Sequence, residues 1–172
     1  METTIEKIEK NPYDLGKSTF LILVHLGALL GIYLQSRGII HWGWRSYTLA
    51  LVWFGASCTS ITAGYHRLFS HPTYHATKFL KIFYLLWSEA AVQGSVLDWA
   101  SKHRAHHKYV DTDADPYNIK RGFWYAHWGW VFRKTRSDFK LIPDLVKDKI
   151  ISWQHRLDGP LAIIMTFVIP AG

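Results

Sequence analysis

The stretch Trp99-Ala100-Ser101-Lys102-His103-Arg104-Ala105-His106-His107 organises the chain. Its three imidazoles stand at i, i+3 and i+4. On a helix turning about 100° per residue, that spacing puts them on one face, about one turn deep. Neutral imidazole is the commonest protein ligand for borderline transition metals. A second cluster, His66-Arg67-Leu68-Phe69-Ser70-His71, lies upstream, so five of the ten histidines fall in two short windows. A single helical His is usually a satisfied core or surface residue. Five at these spacings, between long apolar runs, point to a metal site. His66 and His71 are five apart, about 140° around an α-helix, so they meet one metal only if the helix ends between them. Pro72 favours an ending there.

Upstream of the clusters lie two apolar runs. Ser18 to Gln35 is almost wholly apolar and reads as a membrane span, slightly short of the usual length of about 20 residues. His25 lies inside it and is expected to hydrogen-bond a neighbouring helix. Ser36 to Arg45 is a connector whose Trp42, Trp44, Arg37 and Arg45 suit a headgroup interface. Ser46 to Gly64 is the second span, with a second half rich in small residues that permits close helix packing. It delivers the chain to His66 as it leaves the membrane. Its one cysteine, Cys58, rules out an intrachain disulfide and reads as a buried small side chain.

Residues 1–17 mix both charges without the basic start and cleavage site of a signal peptide, and read as a solvated lead-in. Lys78 to Leu97 is apolar but carries Lys81 and Glu89, which favours an interfacial or cavity-lining helix over a span. After His107, the acidic run Asp111 to Asp115 resembles the opening of a calcium loop. The sixth position is Pro116 and the twelfth Gly122, where such a loop needs Gly and Glu, so that reading fails. Two readings stay open for these acids: turn and cap residues, or carboxylates that orient ligand imidazoles. Arg121 to Trp130 is aromatic and runs into Arg133-Lys134-Thr135-Arg136. That suits an interfacial helix with a snorkelling basic end, or a phosphate site. Leu161 to Gly172 is apolar again, the start of a third span at 159–172.

The net charge of +7 is spread among apolar segments rather than gathered in a patch, which argues against nucleic acid. From Tyr65 to Asp158 there are 15 Lys or Arg and 9 Asp or Glu. The positive-inside tendency puts residues 65–158 and the N-terminus in the cytoplasm, around a hairpin of two spans. The expected fold is therefore an all-α integral membrane protein. No CxxC and no HExxH occur, which excludes the usual structural zinc and zinc-protease motifs. Paired ExxH motifs of soluble carboxylate di-iron proteins are absent as well. An all-imidazole site at a lipid face argues for iron and dioxygen chemistry on a lipid. An unactivated methylene has no acidic proton, so side-chain acid–base chemistry cannot reach it.

Ala63 to His71, then Trp99 to His107, then Asp113-Ala114-Asp115-Pro116 and Arg121-Gly122-Phe123 closely resemble the membrane acyl-CoA desaturases of the stearoyl-CoA, delta-9 type. The resemblance covers roughly residues 19 to 172, which would form an incomplete desaturase domain within 18–172. It implies oxygen-dependent insertion of a cis double bond into a fatty acyl-CoA, by a di-iron centre on the cytoplasmic side. Both boxes supply iron ligands in that family. By analogy His66, His71, His103 and His107 hold one iron and His106 reaches the other. Trp99 matches a tunnel-lining position, and Arg133-Lys134 a basic pair near the CoA phosphates. Electrons would come from cytochrome b5 or a ferredoxin-like donor, in the endoplasmic reticulum or a bacterial inner membrane.

Two departures matter. The family carries an acidic residue before the second box, where this chain has Lys102. The family also has a third HxxHH box and an Asn-x-x-x-His that complete the second iron, and neither occurs here. This chain is expected to be an N-terminal portion, inactive alone. The competing readings are a non-enzymatic membrane metal-binding relative and a lipid hydroxylase of the same superfamily.

Overall fold

The computed structural model describes residues 12–171, so Glu2, Glu6, Glu9, Lys7 and Lys10 of the expected lead-in lie outside the described residues. Secondary structure among those residues is helical, with one isolated β-bridge between Tyr13 and Arg133. Two compact units emerge. One holds the described residues up to Tyr47 together with Lys108–Arg136, the other Thr48–His107 with the residues from Ser137 onward.

In the first unit, α1 (Leu15–Ser36) starts at Asp14, whose carboxylate accepts the Lys17 N–H at 3.1 Å. That bond satisfies one of the donors a helix start leaves unpaired. At 22 residues α1 is about 33 Å long, enough for a hydrocarbon core of about 30 Å. It is the one helix among the described residues long and apolar enough to cross a membrane, and none of its side chains is buried. His25 does not reach another helix; its Nδ1 lies 2.7 Å from the Leu21 carbonyl of its own. Just before α1, Asp14 N–H donates to Phe132 O at 2.8 Å and Lys134 N–H to Pro12 O at 3.0 Å. Residues 12–14 thus run beside 132–134.

The helix α2 (Trp44–Thr59) continues directly into a π-helix, Ser60–Ser70. As an α-helix α2 has 16 residues, so the expected second span at 46–64 divides between two windings. Cys58 is exposed rather than buried, because this stretch of α2 turns few side chains inward. The expected single helix over 78–97 is broken. α3 (Lys78–Trp87) ends in a 3-10 turn, Ser88–Ala91, and Val92 and Gly94 take positive φ of 50° and 80°. Backbone at positive φ cannot continue a right-handed helix. The chain restarts as α4 (Val96–Tyr109). Further on come α5 (Phe123–His127), α6 (Pro143–Val146) and α7 (Lys149–Ile163), which passes through a second π segment, Ile164–Val168, into α8 (Ile169–Ala171).

The core lies in the second unit. Tyr65, Leu68 and Phe69 of the π-helix pack with Tyr84 and Leu85 of α3, Val96, Leu97 and Ala100 of α4, and Ile142, Leu145 and Ile151. Each Val, Leu, Ile or Phe side chain removed from water in this way contributes about 1.5 to 3 kcal/mol. The same core fixes the π-helix against α4, and these are the two elements that carry histidines.

Candidate metal centre

Helix α4 presents His103 and His107 one turn apart, as its periodicity requires. The π-helix presents His66, and His71 caps its end. Its hydrogen bonds join residues five apart, including His71 N–H to His66 O at 3.1 Å. Residues i and i+5 therefore lie nearly above one another. The expectation that helix must end between His66 and His71 gives way to this wider winding, which brings the pair together at a ring separation of 4.7 Å.

The four rings converge. His71 Nε2 is 2.9 Å from His103 Nε2, and His107 Nε2 is 3.1 Å from the same atom. His66 lies 4.6 Å from His103, centroid to centroid. One nitrogen from each of the four falls within 4.8 Å of the rest. His66, His71 and His103 are partly buried and His107 is exposed. A neutral imidazole offers one N–H and one lone pair. His103 Nε2 faces two other ring nitrogens and cannot satisfy both as donor or as acceptor. One shared cation would satisfy every lone pair, so the donor set fits a metal.

Electrostatics favour the neutral, ligand form of His103 and His71. Burial pushes the His103 pKa down to about 3, helped by the neighbouring rings of His66, His107, His71 and His106. Burial also lowers His71, again with His107 and His66 contributing. Desolvation and like charge both disfavour imidazolium.

His106 stands apart from the four, its ring 5.4 Å from His107 and 6.3 Å from His103. Trp99 stacks on His103 at 4.8 Å, and its indole N–H donates to Gln93 Oε1 at 3.0 Å. Arg133 and Lys134 belong to the first unit, where the Arg133 guanidinium lies 3.8 Å over the Tyr13 ring. Asp115 is buried and accepts the N–H groups of Asp111 at 3.0 Å and Tyr117 at 2.8 Å, a turn role.

Three residues without a spacing signal hold the elements that carry the centre. Arg104, inside the second box, meets Asp144. Gln154, fully buried, donates to Glu89 and, at 2.8 Å, to the Tyr65 hydroxyl. Their partners lie tens of residues away, so no local pattern marks them. Gln93 had only its place before Trp99 to suggest it.

No protein-family model matches the chain. Curated proteins do. A probable acyl-CoA desaturase of Schizosaccharomyces pombe is 44% identical over 133 residues, covering 74% of this chain and 27% of that protein. The stearoyl-CoA desaturase of Sus scrofa is 39% identical over 156 residues, covering 86% and 42%. The delta(9)-fatty-acid desaturase fat-6 of Caenorhabditis elegans is 35% identical over 175 residues, covering 96% and 51%. The chain belongs to the acyl-CoA desaturase family. It spans about half the length, or less, of these desaturase relatives. Both histidine windows of this desaturase chain lie in one compact unit.

Proposed function

We propose that this chain is the part of an acyl-CoA desaturase that holds one iron and receives the acyl-CoA. The observation that carries the reading is the convergence of four imidazoles, two from each box, within 4.8 Å in a chain related to named desaturases. In this reading His66, His71, His103 and His107 hold the first iron. His106, on the same helix but turned from the four, serves a second iron whose remaining ligands this sequence does not contain. Iron, when bound, supplies the dioxygen chemistry that breaks unactivated C–H bonds.

The chain's own residues position and exclude. The buried face of His103 and the Trp99 ring stacked on it keep water from one side of the centre. Trp99, fixed by Gln93, is proposed to line the path of the acyl chain. Arg133 and Lys134 are proposed to bind the CoA phosphates, for which a fixed guanidinium is well suited. Membrane placement follows the sequence reading. Spans at about 18–35 and 46–64 and the start of a third at 159–172 flank a cytoplasmic part at 65–158, in a desaturase domain of 18–172. Reducing equivalents come from cytochrome b5 or a ferredoxin-like protein.

The test has two arms. The purified chain in detergent, given ferrous iron, is expected to retain about one equivalent, and His103→Ala to lose it. Fused to the remaining sequence of the Schizosaccharomyces pombe relative, it is expected to make monounsaturated fatty acid in cells lacking their own desaturase. The chain alone is expected to make none. Failure to retain iron, or a hydroxylated product from the fusion, overturns the reading.

A further inference from the structure

Arg104 lies between two candidate ligands in sequence, yet its guanidinium points elsewhere, and all five of its N–H groups find an acceptor. Nε donates to Ser70 O at 3.0 Å. Nη2 donates to Phe69 O at 2.9 Å and to Asp144 Oδ2 at 2.8 Å. Nη1 donates to Leu141 O at 3.1 Å and to Asp144 Oδ1 at 2.7 Å. The two bonds to Asp144 form the planar fork for which arginine is suited and lysine is not.

The carbonyls it reaches are informative. Phe69 and Ser70 are the last residues of the π-helix, and the last carbonyls of a helix lack partners within it. The next residue is His71. Ser70 is buried, and its hydroxyl donates back to Tyr65 O at 2.8 Å, so the turn is held from within as well. Arg104 itself sits on α4, one residue after His103 and three before His107. One side chain therefore ties the backbone leading into the first box's second histidine to the helix that carries the second box. Asp144, in the short helix α6, anchors the far side of the guanidinium.

We propose that Arg104 is a positioning residue for the metal-binding imidazoles, holding His71 at ligand distance from His103 and His107. The proposal rests on the reading of the four histidines as a metal site. It assigns to Arg104 no contact with metal or substrate. Its effect is transmitted through the Phe69 and Ser70 carbonyls to the position of His71.

Cobalt(II) titration of the full chain in detergent tests it, with amide hydrogen exchange over residues 69–73 as a readout free of metal. Arg104→Gln is expected to weaken cobalt binding about 10- to 100-fold, the range seen when a group supporting a metal ligand is lost. Arg104→Lys keeps the charge without the fork and is expected to remain about tenfold weakened. Exchange over 69–73 is expected to quicken about tenfold in the metal-free variants. In a His71→Ala background, Arg104→Gln is expected to cause no further loss of cobalt affinity, because the two changes act through one ligand. A general loss of structure would instead weaken both backgrounds alike. Asp144→Asn, which leaves Arg104 in place, serves if Arg104→Gln does not fold, with the same signs expected. Unchanged exchange with unchanged cobalt affinity overturns the proposal, as does an equal loss in the His71→Ala background. If the wild-type chain takes up no cobalt, the metal reading fails, and the exchange measurement still decides whether Arg104 holds the His71 turn.

Discussion

Gly64 and Tyr84 are packed so closely that a β-carbon on the glycine would stand 2.7 Å from the Tyr84 Cβ and 2.8 Å from its Cγ. The π-helix and α3 meet at this point without room for a methyl group. Gly64→Ala must push α3 away or shift the histidine-bearing helix. Overpacking of this kind costs about 1 to 3 kcal/mol. A denaturant titration is expected to show a lower midpoint with an unchanged slope. A variant with the wild-type midpoint would mean that α3 yields freely.

Trp99 is expected to report the metal. It is one of nine tryptophans, and its ring is 4.8 Å from that of His103. Cobalt bound at the four imidazoles should quench the emission of that indole most strongly. The quench should shrink in Trp99→Phe. Equal quenching in the two proteins would place the cobalt elsewhere.

Glu89 sets a pH dependence. It is 1% exposed, and burial, reinforced by the neighbouring Asp158 charge, pushes its pKa from 4.5 up to about 8. Between those values the folded chain holds a proton that the unfolded chain releases. The stability contributed by this proton is therefore full below pH 4.5 and is lost as pH rises through 8. The wild-type unfolding midpoint is expected to decline from pH 5 to 8 more steeply than that of Glu89→Gln. Parallel curves would show that Glu89 is not the group responsible.

The basic pair should be felt by CoA rather than by the fatty acid. Arg133→Ala with Lys134→Ala is expected to weaken stearoyl-CoA binding roughly tenfold at low salt, since a charge-assisted hydrogen bond contributes about 1.5 kcal/mol. Free stearate should bind both proteins alike. The difference should narrow as salt is raised. A loss equal for both ligands would place these residues along the acyl chain.

Periodic features were legible from residue order alone. His103 and His107 share a face because α4 keeps the regular winding that their spacing assumes. The apolar run within α1 stood out for the same reason. His66 and His71 did not, since five residues match no face of an α-helix, and the winding that reconciles them is marked by no particular residue type. The break after α3 had one sign, Gly94, but Val92 adopts positive φ without announcing it. His25 and Cys58 were misplaced because an apolar helix does not state which side its neighbours occupy. Arg104 was invisible as a clamp because three of its acceptors are backbone carbonyls, 34, 35 and 37 residues away from it.

The wide winding between Ser60 and Ser70 also makes residue count matter more than residue type. Wound as an ordinary α-helix at its present length, the segment would turn His66 about 140° from His71, although no histidine had been touched. Deleting one residue between the two would leave them four apart, the spacing at which ordinary winding already puts His103 and His107 on one face. Substitutions in this segment can be judged one side chain at a time, whereas a change in its length acts on the whole first box at once.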